Sequence, residues 1–381
     1  MIPFDRSILP ERAIDYISET LQSGKLSGNG LYTKKCQGFI ADRFDAKYNL
    51  LTTSGSSALD MAARLCGIKE GDEVIMPSFT FSSTANAFVA CGAKIVFVDI
   101  RPDTMNIDEC LIDSAITEKT RAIVPVHYGG VSCEMDTINE TANRNNLFVV
   151  EDAAQAVMSQ YKGKACGTIG DVGCYSFHST KNYSMGEGGA IIVRDADMFR
   201  RAEIMWEKGT DRSRFMRGEI DKYSWVDWGS SYLPSELNAA FLWSQLEMAD
   251  EINNNRLRSY KQYFDLLAPL ADDGLIKLPF VPLECDHNAH IFFIRTRTHD
   301  EQIELLEQFR ANGIGAVFHY VPLHSSMAGQ KFGRFHGEDR YTSSESAKLI
   351  RLPLYYGSSH EDISRVAEVI YQFYGRKAEL A

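Results

Sequence analysis

Ala122-Ile123-Val124-Pro125-Val126 and Leu147-Phe148-Val149-Val150, with Met135 to Arg144 between them, decide how this chain folds. Both apolar runs are short and have strand character, and the segment joining them has helical periodicity. A buried strand, a crossover helix and a second buried strand make a parallel unit. The same alternation extends outward. Glu73-Val74-Ile75-Met76 and Lys94-Ile95-Val96-Phe97-Val98 read as strands before it, and Val172 to Phe177 as one after it. Helical patterns cover Glu11 to Gln22, Ser57 to Leu65, Ser83 to Cys91 and Ile107 to Ile116. Strands apolar on both faces, alternating with helices, predict an α/β fold with a mostly parallel central sheet and helices on both faces.

Beyond a long helical stretch, Ser235 to Leu267, the character changes. Pro279, Pro282 and the polar Glu284-Cys285-Asp286-His287 lead into a smaller lobe. Its expected strands are His290 to Arg297 and Ala316 to Val321, and its expected helices Glu301 to Asn312 and His360 to Tyr374. The expected division is a large α/β domain over 1–250 and a smaller C-terminal α+β domain over 251–381.

The 381 residues are 44% hydrophobic, enough for a large core. The net charge of −11 argues against a nucleic-acid binder, so an anionic ligand needs a local basic pocket. Eight scattered cysteines show no C-x-x-C pair and no zinc spacing; they read as reduced core thiols, with no metal site. Met1 to Arg6 lacks the pattern of a signal peptide, and no apolar run approaches the roughly 20 residues of a membrane span. The expectation is a soluble cytoplasmic protein that does not contact membranes.

Lys181 ends the run Ser176-Phe177-His178-Ser179-Thr180, ahead of Gly186-Glu187-Gly188-Gly189. Phe, His, Tyr and Met around it imply a partly desolvated amine, whose lowered pKa suits Schiff-base chemistry. Thr53-Ser54-Gly55-Ser56-Ser57-Ala58-Leu59 follows a strand and opens a helix, which makes a phosphate seat. Asp152 stands at the mouth of a buried strand, where a carboxylate can hold a heteroaromatic nitrogen protonated. Taken singly these are a surface lysine, a Ser-rich helix cap and an N-cap acid. No G-x-G-x-x-G occurs, which removes the dinucleotide reading. Together they are the three handles of pyridoxal phosphate, and Met76 to Phe81 supplies aromatics to cover its ring.

On these stretches, with Ser23 to Gly28, Gly71 to Ile75, Pro125 to Gly129 and His319-Tyr320-Val321-Pro322-Leu323-His324, the chain resembles the DegT/DnrJ/StrS family. These are fold-type-I aminotransferases that act on nucleotide-linked keto sugars. Ile75 to Phe88 and Pro102 to Glu109 resemble most the members that form dTDP-4-amino-4,6-dideoxygalactose for enterobacterial common antigen. The resemblance implies pyridoxal 5′-phosphate as cofactor, L-glutamate as donor yielding 2-oxoglutarate, a dTDP-linked keto sugar as acceptor, and a homodimer. It gives Lys181 the Schiff base and proton transfer, Asp152 the pyridinium nitrogen, Gln155 the ring oxygen, Phe81 the ring face, and Ser56, Ser57 and Ser176 the phosphate. Lys25, Ser27, Tyr183, Tyr320 and His324 are the expected sugar-nucleotide contacts, with an arginine from Arg212, Arg214 or Arg217 for the diphosphate. Ser231 stands where many relatives carry an asparagine reaching the neighbouring subunit's phosphate; serine donates the same bond over a shorter reach. Other outcomes on this scaffold are a 3-amino sugar, the other C4 epimer, a dehydratase (whose members carry histidine in place of Lys181) or a non-catalytic regulator.

Overall fold

The computed structural model describes residues 1–377. Eight strands form the central sheet in the order 49–52, 189–193, 172–176, 148–152, 120–123, 73–77, 94–98, 333–335. Gly189–Val193 runs antiparallel to both its neighbours, while the other pairings are parallel. Side chains alternate between two buried faces. Val74, Met76, Ile95, Phe97 and Val150 pack on one side, and Ile75, Val96, Val98 and Val149 on the other. Helices Gly55–Leu65 and Ser82–Val89 cover the first side, and Met135–Arg144 the second. Burial on both faces is why these strands read as continuous apolar runs. No helix among the described residues is long and apolar enough to cross a membrane.

A smaller three-stranded antiparallel sheet joins Ile276–Lys277, Phe292–Thr296 and Leu349–Leu352. It packs on Ala249–Asp272, His299–Ala311 and His360–Phe373. The N-terminus joins this region, since Ile2 bridges Ile314. The predicted long helix is two, Glu236–Leu246 and Ala249–Asp272. Two other expectations fail. Ile107 to Ile116 is helical only over the short turns Glu109–Leu111 and Ile112–Ala115, because Asp108 caps Cys110 and Ile107 bridges Ile100. Ala316 to Val321 is not a strand: only Val317 bridges Arg351, and the chain then lies along a cavity. Leu31–Phe44, Gly189–Val193 and Gly333–Phe335 were not foreseen.

Candidate active site

A cavity of about 630 Å³ opens at the carboxyl ends of the central strands, the place where open α/β sheets bind ligands. The sheet order explains what meets there. Asp152 and Ser176 are the last residues of neighbouring strands, and Gly55 begins the helix after Asn49–Thr52. Lys181 follows Ser176 in a tight loop, where its N–H donates to the His178 carbonyl at 2.9 Å and Met185 N–H returns to Phe177 at 2.8 Å. Ser56, Phe81, Asp152, Gln155, Ser176, Lys181 and Tyr320 all line this one cavity.

The lysine is enclosed by protein except toward the cavity. Desolvation lowers its pKa from 10.5 to about 8; Asp152 opposes the shift and Arg351 adds to it. No hydrogen bond or ion pair engages its amine among the described residues. Asp152 is buried and held from two sides, by Thr84 Oγ1 donating to Oδ2 at 2.7 Å and Ala154 N–H donating to Oδ1 at 3.2 Å. Thr80 and Thr84 hydroxyls are 2.8 Å apart behind it. Gln155 accepts from Gly129 N–H at 2.7 Å and donates to Tyr320 Oη at 2.8 Å. His319 stacks on Tyr320 with ring centres 3.7 Å apart, and its Nδ1 lies 2.7 Å from Tyr128 Oη. Burial, then the nearby Arg351 and Lys181 charges, push His319 well below the usual histidine range, so it is neutral. Phe81 sits at the mouth, 57% exposed in the single chain, its ring 6.2 Å from that of Tyr320.

Other expected contacts fall elsewhere. Ser57 does not line the cavity, because its hydroxyl pairs with Thr53 at 2.8 Å and Ser54 at 2.9 Å to close the helix cap. Tyr183 is core; its ring is buried and its hydroxyl donates to the Ala249 carbonyl at 3.0 Å. The His324 ring is taken up by Ser78 at 2.7 Å and Asp339 at 3.2 Å. Lys25 donates to Ser27 at 3.0 Å on the exposed surface, outside the cavity. Arg217 pairs with Glu203 at 2.6 Å, Arg214 with Glu219 at 3.3 Å, and Arg212 lies 3.9 Å from Glu207. Ser231 bridges Glu207 and is likewise outside the cavity. Conversely, Thr84, Gly129 and Arg351 were not singled out. Arg351 left a signal, as a lone cation inside the apolar run Leu349-Ile350-Arg351-Leu352.

A profile of the DegT/DnrJ/EryC1/StrS aminotransferase family matches residues 8–371. The chain belongs to that family. The spore coat polysaccharide biosynthesis protein SpsC of Bacillus subtilis is 32% identical over 97% of this chain and 96% of its own. GDP-perosamine synthase of Caulobacter vibrioides is 32% identical over 94% of each chain. The aminotransferase TlmJ of Streptoalloteichus hindustanus superposes with a TM-score of 0.90 at 26% identity, over 98% of this chain and 99% of its own.

Pyridoxal 5′-phosphate is the cofactor of this aminotransferase, and the residues fit it. At the start of the helix Gly55–Leu65, Gly55 and Ser56 line the cavity with Ser176, and their N–H groups have no partner within the helix, whereas Ser57 N–H donates to Ser54 Oγ at 3.0 Å. Gly55 is needed there, since a Cβ would stand 2.9 Å from that of Ser176 and close the seat. The cavity therefore joins an anion seat, a buried carboxylate and an unpaired amine.

Proposed function

We propose that this sugar aminotransferase moves the amino group of L-glutamate to C4 of dTDP-4-keto-6-deoxyglucose, giving dTDP-4-amino-4,6-dideoxygalactose for a cell-surface polysaccharide. The observation that carries the amino-transfer reading is Lys181, an unpaired amine with a pKa near 8 in the cavity that also holds Asp152. A lysine there supports amination over dehydration. The C4 and dTDP assignments rest on the likeness of Ile75 to Phe88 and Pro102 to Glu109. GDP-perosamine synthase at 32% identity supports a second reading in which the nucleotide is GDP.

Pyridoxal 5′-phosphate supplies the carbonyl that takes up the donor's amine and a ring that accepts the electron pair released with a proton. The residues of this chain do the rest. Asp152, fixed by Thr84, keeps a ring nitrogen protonated. Gly55, Ser56 and Ser176 would hold the phosphate, Gln155, fixed by Gly129 N–H, would hydrogen-bond the ring oxygen, and Phe81 would cover the ring. Lys181, half of it neutral near pH 8, would take the donor's α-proton and later deliver a proton to C4 of the sugar. Phe318, His319 and Tyr320 form the wall that the sugar meets.

We read the protein as cytoplasmic and homodimeric, divided near residue 250. Trp225 and Trp228, 81% and 42% exposed, support a partner surface on the 208–232 segment. That would bring Ser231, Lys25 and Ser27 to a neighbouring cavity. The test is purified enzyme with L-glutamate and the dTDP- and GDP-linked 4-keto sugars, along with a 3-keto sugar. Mass and proton NMR identify the product, and an amine at C3, or none, overturns the assignment.

A further inference from the structure

The irregular segment that carries Phe318, His319 and Tyr320 into the cavity is strung between two fixings. At its start Val317 and Arg351 exchange backbone bonds at 3.1 and 2.8 Å. At its end Leu323 N–H donates to the Ser78 carbonyl at 2.9 Å. Among the described residues, no backbone N–H of 318–321 meets a backbone carbonyl. The second fixing centres on His324. Its own N–H donates to Ser78 Oγ at 3.0 Å, and its Nδ1 lies 2.7 Å from the same oxygen. Its Nε2 lies 3.2 Å from Asp339 Oδ2, and Phe335 packs on the ring with centres 4.5 Å apart. Asp339 is held in turn by Ser343, whose N–H donates to Oδ1 at 3.0 Å and whose hydroxyl donates to Oδ2.

An ionised carboxylate only accepts, so Nε2 donates to Asp339 and Nδ1 takes the hydrogen of Ser78. Serine, histidine and aspartate in this order resemble a hydrolase triad. Ser78, however, is fully buried and does not line the cavity, so no substrate reaches it. The chain of bonds acts on position instead. Ser78 directly follows the strand Glu73–Pro77, and Phe81 and Thr84, which fixes Asp152, come shortly after. His324 thus ties the irregular wall of the cavity to the rigid one at the strand ends. We propose that His324 is a positioning residue for the sugar half of the reaction: its latch on Ser78 sets how far Phe318, His319 and Tyr320 stand from Asp152. This rests on the reading in which the sugar meets those three residues, and adds what holds them there. None of the latch's bonds involves Lys181, Asp152 or Ser176, so the glutamate half-reaction does not depend on it.

The test separates the two half-reactions of the holoenzyme. Stopped-flow spectroscopy follows loss of the cofactor's visible band with L-glutamate, and its return with whichever dTDP- or GDP-linked 4-keto sugar the wild type aminates. His324→Ala is expected to slow the sugar step by about 10- to 100-fold per molar sugar, while the glutamate step changes less than about threefold. His324→Gln, which keeps a donor and an acceptor at its tip, recovers part of the loss. Ser78→Ala loses about as much as His324→Ala, and the double variant no more, because both changes open one latch. Hydrogen exchange read by mass spectrometry needs no substrate. The amides of Leu323 and its neighbour at 324 exchange about tenfold faster or more in His324→Ala, whereas those of 148–156 do not. An unchanged sugar step, an equal loss in both half-reactions, fully additive losses in the double variant, or unaltered exchange at Leu323 overturns the proposal. A wild type that reacts with L-glutamate but aminates neither sugar defeats the acceptor reading alone, and the exchange measurement then decides the latch.

Discussion

Asp152, Ser176, Gly55 and Lys181 sit at or just past the ends of strands in the central sheet, whereas Phe318, His319, Tyr320 and Arg351 reach the same cavity from an irregular segment and the smaller sheet. The first wall is held by short bonds to backbone and buried hydroxyls, such as Thr84 to Asp152 at 2.7 Å. The second is a stack of rings and one unpaired cation. On the function proposed above, the chemistry common to aminotransferases falls to the first wall and contact with the sugar to the second.

Removing the amine breaks the first wall most severely. Lys181→Ala should lower the glutamate half-reaction by about 10⁴-fold or more, and the visible band that depends on the lysine should disappear. Persistence of that band would sink the assignment. Asp152→Asn should cost on the order of 100-fold in kcat with a smaller change in KM, read from steady-state kinetics.

The lysine also sets a pH-dependent cost on the apoprotein. Its folded pKa of about 8 lies below the ordinary 10.5, so protons favour the unfolded chain. The stability linked to the neutral amine is present above pH 10.5 and is lost as pH falls through 8. The difference corresponds to at most about 3 kcal/mol, and water in the cavity reduces it to about 1–2 kcal/mol. Lys181→Met should therefore stabilise the apoprotein against urea at pH 7 by about that amount, with the gain gone near pH 10.5. A gain independent of pH would show that the amine is already solvated.

Smaller effects sharpen the contrast. Thr84→Val removes one charge-assisted bond from Asp152 and should lower kcat about 10-fold, while Thr84→Ser restores most of it. Ser56→Ala should weaken cofactor binding several-fold, about 1 kcal/mol. Ser57→Ala should act mainly on thermal stability, since its hydroxyl closes the cap.

The rigid wall was legible because each of its groups lies within a few residues of an apolar strand, and the strand itself announces where the group points. Lys181, Asp152 and the 53–59 seat were read this way, while the role of Ser176 came from the family resemblance. Ser57 was misplaced because neighbouring serines on one helix turn look alike until their rotamers are fixed by Thr53 and Ser54. Thr84 was missed since its value comes from contact with a strand 68 residues away. The other wall has no such local pattern. Ala316 to Val321 reads as a strand but has a single bridge, and Tyr183 and His324 have polar tips satisfied inside the protein. Residues such as Lys25 and Ser27 lie on a surface whose role a single chain does not define.

Incubation of the holoenzyme with L-[15N]glutamate and dTDP-4-keto-6-deoxyglucose, followed by NMR of the sugar nucleotide, tests the central claim most directly. The account predicts 15N bonded to C4 of a galactose-configured ring in the wild type, and none in Lys181→Ala. A sugar product without 15N, or equal labelling in both proteins, would contradict it.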